Sequence, residues 1–422
     1  MNRAGAKQLF DKFAAVWRSK SQRYWLTAAL VLAVTLYATP WVNERLGLNN
    51  IRYSLFQFSG ALGPRPLRQG FSMVVGIDDY DFIVDSGGMT PVSRAYIARI
   101  VDSLNKADAH VIALDFILRY ADGRMKPVKV GDFSSVGDKK EVDALIKAVI
   151  AAADNDKKIV LPIDILPNDD AIDSYKIVPA IYQAYGLCTS LRANGVWDST
   201  GAPGFVLSQK ARRNINCGYI ELPYDPRQVP PLINIKQKWR IASFSLAIAA
   251  VKSPQAAEAV GSSTKFVAYL PTSKDDPVTT AGQLLRKDPS ALDAVRCNVV
   301  IVGGRWHRQP AQEMVDLHDT PLGKMSGLLM HENFAEGILD ARLLGVIPDW
   351  AQWAIDVFLG IAFAFVFAAF SEFWTKLLLL AGIAVGLFLV QWLLLTLFGS
   401  FLEVFLPLLG LSLHSILEKL LE

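Results

Sequence analysis

Acidic, basic and imidazole side chains lie where several apolar runs of this sequence end. In an open α/β sheet, ligands bind outside the carboxyl ends of the strands, so side chains at these positions can converge. Carboxylates with imidazoles can bind a divalent cation, and an arginine beside a glycine turn can bind an anion. We therefore predict a ligand-binding site formed by Asp78, Asp79, Arg94, Asp115, Arg305, His307 and His331.

A structural explanation competes with this prediction. Acids at strand ends often cap the next helix or close a turn, which would leave Asp78, Asp79 and Asp115 without a ligand. Further polar groups, Asp316, His318 and Asp319, lie downstream of the last strand. A metal site formed by such groups is the weaker of the two ligand hypotheses.

Catalytic motifs are missing from the sequence. His331-Glu332 begins like the helix of a zinc protease, but Ala335 occupies the position of the second histidine. The sequence contains no phosphate-binding GK[ST] loop, no G-x-S-x-G elbow and no dinucleotide fingerprint. We therefore expect a protein that is not an enzyme and needs no cofactor. A metal-dependent activity of the central region remains the alternative.

Between its apolar ends, the chain alternates between strand-like and helix-like segments. Continuous apolar strands interleaved with helices predict an α/β fold, with a mixed or mostly parallel sheet covered by helices. Residues 167–228 are less regular and read as an insertion. The predicted strands are 72–77, 110–115, 158–163, 215–222, 265–270 and 298–302, and the predicted helices are 92–106, 142–153, 244–251 and 328–344.

The longest hydrophobic runs predict a membrane protein. About 18 residues without a charge follow a 24-residue tail with six Lys/Arg and one acid, so an uncleaved anchor with a cytoplasmic N-terminus is expected, in preference to a cleaved signal peptide. The last span contains proline, glycine and histidine, and a re-entrant or interfacial segment is the alternative. The predicted organisation is a basic tail (1–24), a span (25–42), an extracytoplasmic domain (45–348) and three spans (350–370, 377–398 and 401–417).

The net charge bears on the kind of partner, and the cysteines bear on whether a disulfide forms. The formal net charge is only +3, and much of it lies in the N-terminal tail, so we expect no nucleic-acid partner. The three cysteines fall in the predicted outside domain. A bridge between Cys188 and Cys217 is one option, and three buried thiols are the other, with Cys297 expected in the core at the start of a strand.

Two segments of the central region resemble the CHASE type 2 extracellular sensor domain. The first contains Val74-Val-Gly-Ile-Asp-Asp79, Thr90-Pro-Val-Ser-Arg94 and Ala109-His-Val-Ile-Ala-Leu-Asp-Phe116, and the second contains Val299-Val-Ile-Val-Gly303 and Asp319-Thr-Pro321. The resemblance implies a periplasmic or outside sensor domain on a multi-pass protein of the bacterial inner membrane. Thr90-Pro91-Val92 stands where the family usually has Trp-Pro-Trp, which would alter the pocket.

The family's usual cytoplasmic effector does not follow the last apolar run, so we expect any signal to pass to another protein. A GxxxG pattern, Gly382 and Gly386, with Gly360 and Ala364 at the same spacing, predicts helix association in the bilayer with a second copy or a separately encoded partner. Packing within the chain's own helices is the competing use. A transporter is disfavoured by the few polar groups in the spans, whereas a structural scaffold subunit remains an alternative function.

Overall fold

The structure, a computed structural model, describes the central part of the chain in most detail. The residues that it describes are 71–88, 92–116, 129–130, 133–134, 139–167, 175–178, 187–188, 190–191, 197–198, 207–222, 228–229, 232–235, 239–261, 265–267, 279–308, 313–314, 316–320, 323–340, 343–346, 349–369, 373–398 and 400–401.

The described strands are β1 (Ser72–Ile77), β2 (Val111–Asp115), β3 (Lys129–Val130), β4 (Phe133–Ser134), β5 (Lys158–Pro167), β6 (Tyr175–Val178), β7 (Ser190–Leu191), β8 (Trp197–Asp198), β9 (Ile215–Tyr219), β10 (Gln228–Val229), β11 (Leu232–Ile235), β12 (Trp239–Ala242), β13 (Lys265–Val267), β14 (Thr279–Thr280), β15 (Val299–Gly304), β16 (His307–Arg308), β17 (Glu313–Met314), β18 (Leu317–Thr320), β19 (Gly323–Ser326), β20 (Leu343–Val346) and β21 (Ser400–Phe401). The helices are α1 (Arg94–Lys106), α2 (Lys139–Asp154), α3 (Gln209–Asn214), α4 (Phe244–Lys252), α5 (Pro254–Val260), α6 (Ala281–Leu285), α7 (Pro289–Val295), α8 (Gly327–Leu339), α9 (Asp349–Ala369) and α10 (Phe373–Phe398), with a π-helix at Asp81–Asp85.

A mostly parallel sheet forms the centre of the compact unit Leu67–Leu343. Parallel pairing joins β14, β1, β15, β2, β5 and β9 in that order. Beyond β5, the strands β6, β11 and β12 extend the sheet with mixed directions. The fold is therefore α/β with a mostly parallel sheet, as the alternating segments predicted.

Helices cover both faces of this sheet, which explains why its central strands are continuously apolar. In β15, Val300 and Val302 pack in the core on the side of α1 and α2, while Val299 and Ile301 pack on the side of α4 and α8. Serines begin several of these helices: the Ser93 and Ser243 side chains accept hydrogen bonds from the first turns of α1 and α4.

The predicted elements are confirmed at most positions, with two corrections. The helix predicted over 328–344 ends at Leu339, and Leu343 begins strand β20 instead. Cys297 is exposed rather than buried. It adopts a left-handed φ of 59° in the turn before β15, where its backbone N–H donates to the carbonyl of Asp108.

Of the two readings of the cysteines, the structure contains the bridge. Cys188 and Cys217 form a disulfide with a Cα–Cα distance of 5.8 Å. Cys217 lies in β9, so the bridge ties the irregular region before α3 to the parallel sheet. Both residues are buried in the core.

The second and third predicted membrane spans coincide with helices α9 and α10. Among the residues that the structure describes in full, however, no helix is long and apolar enough to cross a membrane. The first predicted span, 25–42, and nearly all of the fourth, 401–417, lie outside the described residues.

Candidate functional site

Arg305 is held at the carboxyl ends of β1 and β15. Its backbone N–H donates to the carbonyl of Ile77 at 2.8 Å. Its side chain crosses Gly76, where an added Cβ would lie 2.6 Å from the Arg305 Cδ atom. The Nε atom is buried without a hydrogen-bond partner. A glycine is therefore required in β1 because the arginine stem occupies the space of a side chain.

Asp115 occupies a comparable position two strands away. It pairs in register with Gly303 of β15, and Gly303 pairs in turn with Gly76. A Cβ at Gly303 would lie 3.1 Å from the Asp115 Oδ2 atom and 2.8 Å from the Leu328 side chain. Asp115 is only partly accessible, and burial, together with the charge of Asp316, raises its pKa to about 8. Asp115 is therefore mainly protonated at neutral pH in the unliganded protein.

Asp316 lies against the first turn of α8. Its carbonyl accepts the Gly327 N–H at 2.9 Å, and its carboxylate packs directly on the Gly327 backbone. The Asp316 Oδ1 atom lies 2.8 Å from the His318 Nε2 atom. Asp316 is exposed, and although desolvation raises its pKa, the hydrogen bond and charge of His318 outweigh this effect and lower it. The Asp316 carboxylate is therefore ionised, whereas Asp115 keeps its proton.

His331 also approaches this region, but its own contacts are structural. Its Nδ1 atom lies 3.3 Å from the Ser245 hydroxyl, and its ring packs edge-on against Phe244. Burial lowers the pKa of His331 to about 4, against the opposing influence of Asp316 and a hydrogen bond to the Ile220 backbone. His331 is therefore neutral at physiological pH and joins α8 to α4.

These residues lie on the α8 side of the sheet at its carboxyl edge, and together they are called the α8-facing site. Ser326, the residue before α8, is 2% exposed, and its hydroxyl has no hydrogen-bond partner. No group of three or more His, Cys, Asp or Glu side chains is placed to hold a metal ion in the described part of the chain. The members of the α8-facing site are Asp115, Arg305, Asp316, His318 and Ser326.

A second cluster, on the opposite face of the sheet, consists of Asp81, Tyr96 and Arg286. Asp81 is fully buried, and neither carboxylate oxygen has a well-formed hydrogen bond, although the Gly282 backbone lies close to it. Burial raises the pKa of Asp81, and the buried hydroxyl of Tyr96 is also unpartnered. The Arg286 guanidinium contacts Asp85 at 3.5 Å instead.

The structure distributes the predicted site residues over different places. The Asp78 Oδ1 atom accepts the Asp81 N–H at 2.8 Å, so it closes the turn into the π-helix. Asp79 is exposed.

Arg94 is buried at the start of α1, on the face away from Asp115. His307 lies in the short strand β16, and its side chain is outside the described part. Asp115 and Arg305 are the predicted residues that the α8-facing site retains.

Sequence reasoning gave Gly76 no role and took Gly303 only as part of a glycine turn beside Arg305. A signal was present, because Gly76 lies inside a strand that is otherwise rich in valine and isoleucine, and Gly303 ends the apolar run of another. A glycine inside a strand often marks the close approach of another group. Asp81 and Tyr96 were also missed, since an acid inside a helix carries no such mark.

Comparison with known proteins assigns the family. The CHASE2 domain model matches residues 27–370, most of the chain. The chain therefore belongs to the CHASE2 domain family, a family of extracellular sensory domains, and the resemblance seen in the sequence is confirmed. No curated protein and no solved structure matches it significantly.

Proposed function

We propose that this protein is a membrane-anchored extracytoplasmic sensor that binds a small ligand at the α8-facing site and passes the signal to another protein. Membership in a sensory domain family supports the sensing role. The observation that carries the ligand site is the placement of Asp115, Arg305 and Asp316 on one face of a parallel sheet, at its carboxyl edge. This edge is where open α/β sheets bind their ligands.

Unsatisfied groups at this edge favour binding over a purely structural role. A buried donor or acceptor without a partner costs about 1–3 kcal/mol, and more when charged. The Arg305 Nε atom and the Ser326 hydroxyl carry such a cost in the unliganded protein. A ligand that satisfied both would regain it. We propose binding without turnover, because the sequence lacks the catalytic motifs considered above.

The sequence and the cysteines support the membrane anchor and the outside location of the domain. Residues 377–398 form 22 consecutive uncharged positions, enough to span ~30 Å of hydrocarbon at 1.5 Å per residue. The Cys188–Cys217 disulfide is the kind of bond that persists in an oxidising compartment. The basic N-terminal tail favours the orientation with the tail inside.

The relay is proposed to pass through the apolar helices to a second copy or a separate membrane or cytoplasmic protein. In the described part of the chain, no atom lies within 4 Å of a Cβ built at Gly382 or Gly386. An open small-residue face of this kind allows two helix backbones to approach closely. Gly360 and Ala364 of α9 provide the second pattern of this spacing.

Cysteine labelling of the full chain in intact cells tests the location. We expect Cys297, which is exposed, to react with a membrane-impermeant maleimide without reduction. Cys188 and Cys217 should react only after reduction and unfolding, because their sulfurs are bonded and buried. Labelling of Cys297 only after cell lysis would place the domain in the cytoplasm and overturn the proposed topology.

Thermal unfolding of the full chain in detergent, measured against a broad metabolite library, tests the ligand site. At least one compound should raise the unfolding midpoint of the wild-type protein and of Arg296→Gln, an exposed arginine away from the site. The same compound should fail to stabilise Arg305→Gln. Equal stabilisation of both variants would remove the α8-facing site from the proposed function.

The partner requires a separate measurement. Gly382→Ile and Gly386→Ile should each weaken co-purification of a second copy or a partner in mild detergent, because a large side chain keeps the helices apart. Retention of every partner by both variants would contradict this route for the signal.

A further inference from the structure

The α8-facing site contains an arginine whose charge is not compensated. Arginine cannot lose its proton in a protein, so it needs an anion or water when it is partly buried. In the described part of the chain, Arg305 forms no ion pair, and its Nε atom is buried without a partner. Its stem lies across Gly76, and the residue is half-buried. These features favour an anionic group on the ligand.

The acidic side of the same site, formed by Asp115 and Asp316, lacks a cation. Asp115 and Asp316 are close enough for the Asp316 charge to raise the pKa of Asp115. Two neighbouring carboxylates are stabilised by a cation between them, and in its absence one of them keeps a proton. His318 is hydrogen-bonded to Asp316, and no positive charge of the described residues acts on Asp115. These features favour a cationic group on the ligand.

The glycines against which Arg305 and Asp115 pack are neighbours in the sheet. The Arg305 side chain packs over Gly76, and the Asp115 side chain packs beside Gly303; these two glycines are paired in register on adjacent strands. Adjacent strands lie about 4.8 Å apart, so one small molecule can contact the sheet at both positions. Nevertheless, no ion pair joins Arg305 to either carboxylate within the described residues.

From this arrangement we propose that the ligand is a small zwitterion of the α-amino acid class, with its carboxylate bound by Arg305 and its ammonium group bound by Asp115 and Asp316. A simple anion would be repelled by Asp316, and a simple amine would be repelled by Arg305. A metal ion is disfavoured because the described acids and histidines form no metal-binding group. One molecule that carries both charges satisfies both sides of the site.

This inference rests on the proposed function, and its test uses the full chain in detergent with defined probes. Each of the standard α-amino acids is titrated calorimetrically, with acetate and methylamine as probes that carry only one of the two charges. At least one amino acid should bind, and acetate and methylamine at the same concentration should not.

Substitutions test which side chains bind the two charged groups of the amino acid. Arg305→Gln and Asp115→Asn should each weaken the binding of that amino acid by about tenfold or more, because each removes a charge-assisted hydrogen bond. Arg296→Gln, which changes an exposed arginine paired with Asp293, should bind as the wild type does. Retention of the disulfide and of the unfolding midpoint shows that each variant is folded.

The pH dependence separates a bound ammonium group from a structural effect. Asp115 must lose its proton to bind the ammonium group, so affinity should increase as pH rises from 6 to 8, by up to about tenfold per unit. Asp316, His318 and Arg305 are the other charged or titratable members of the site, and all remain in Asp115→Asn. This variant should lose most of the pH dependence.

The outcomes distinguish this inference from the proposed function. If no amino acid binds, or if acetate binds as well as any amino acid, the zwitterion is wrong. The sensor proposal would still stand if another compound of the metabolite library required Arg305. If an amino acid binds equally to the wild type, Arg305→Gln and Asp115→Asn, the ligand is bound elsewhere and this inference fails.

Discussion

The two ends of the central sheet differ in how far their polar groups are hydrogen-bonded. At the amino end, the Glu336 Oε1 atom accepts hydrogen bonds from the Phe71 N–H, the Ser72 N–H and the Ser72 hydroxyl, while its Oε2 atom is buried without a partner. At the carboxyl end, Arg305, Ser326 and the opposite-face residue Asp81 all retain buried atoms without partners. The bonds of Glu336 Oε1 stabilise the fold, whereas the unsatisfied groups at the carboxyl end reduce its stability.

The largest effect should come from the amino end. Glu336→Ala removes the acceptor shared by three donors of Phe71 and Ser72, and the free energy of unfolding should fall by roughly 3–5 kcal/mol. Urea unfolding of the full chain in detergent, followed by tryptophan fluorescence, measures this loss. Glu336→Gln keeps a carbonyl acceptor and should lose much less, since burial already raises the pKa of Glu336 and favours its neutral form. Similar losses in both variants would mean that packing, not the hydrogen bonds, explains the effect.

The next effect concerns Asp115 and depends on pH. The folded pKa is about 8 and the model-compound value is 3.8, so its stabilising contribution is complete below pH 4 and is lost as pH rises through 8. Asp115→Asn imitates the protonated acid and should escape this loss. Between pH 5 and pH 8, the wild type should lose about 1–3 kcal/mol relative to the variant, after allowance for partial solvent access. Parallel stability curves for the two proteins would contradict the burial of this carboxyl group.

Arg305 should matter little for stability, in contrast to Glu336. Its Nε atom makes no hydrogen bond, so Arg305→Gln removes only the packing of the stem on Gly76. The free energy of unfolding should change by less than about 1 kcal/mol in the absence of ligand. A loss as large as that of Glu336→Ala would indicate that the carboxyl end is also structural and would remove the contrast between the two ends.

The smallest effect is expected at Tyr96, on the opposite face of the carboxyl end. Its hydroxyl is buried without a partner close to Asp81, and burial raises its pKa. Tyr96→Phe removes an unsatisfied group and keeps the ring, so stability should stay the same or rise by up to about 1 kcal/mol. Thermal unfolding at pH 7 measures this difference. A clear loss of stability would reveal a hydrogen-bond partner for the hydroxyl, such as a buried water.

The sequence predicted the order of the elements because the central strands are buried on both faces. Runs such as Val299–Gly304 are continuously apolar and end in glycine, so their type and their carboxyl ends were clear. The helix predicted over 328–344 extended too far, because Leu343 and Leu344 are as apolar in a strand as in a helix. The boundary was therefore decided by tertiary pairing and not by composition.

The site could be predicted only in part, because the face on which a side chain lies depends on strand pairing. Asp115 and Leu114 are adjacent in sequence and point to opposite sides of the sheet. The register that sets Gly76 beside Gly303 joins strands separated by more than 200 residues, and no local pattern encodes it. Arg94 was included because it lies in a segment that resembles the family's sensor domain, but the helix it begins covers the other face.

One helix touches both ends of the sheet, and this has a thermodynamic consequence. The first turn of α8 lies against Asp316, and Glu336, nine residues later, binds the start of β1, a distance of about 14 Å along the helix axis. If a ligand at the α8-facing site strengthens the contact of Glu336 with β1 by some factor, that contact must strengthen ligand binding by the same factor. Glu336→Ala would then alter ligand affinity although Glu336 does not touch the ligand.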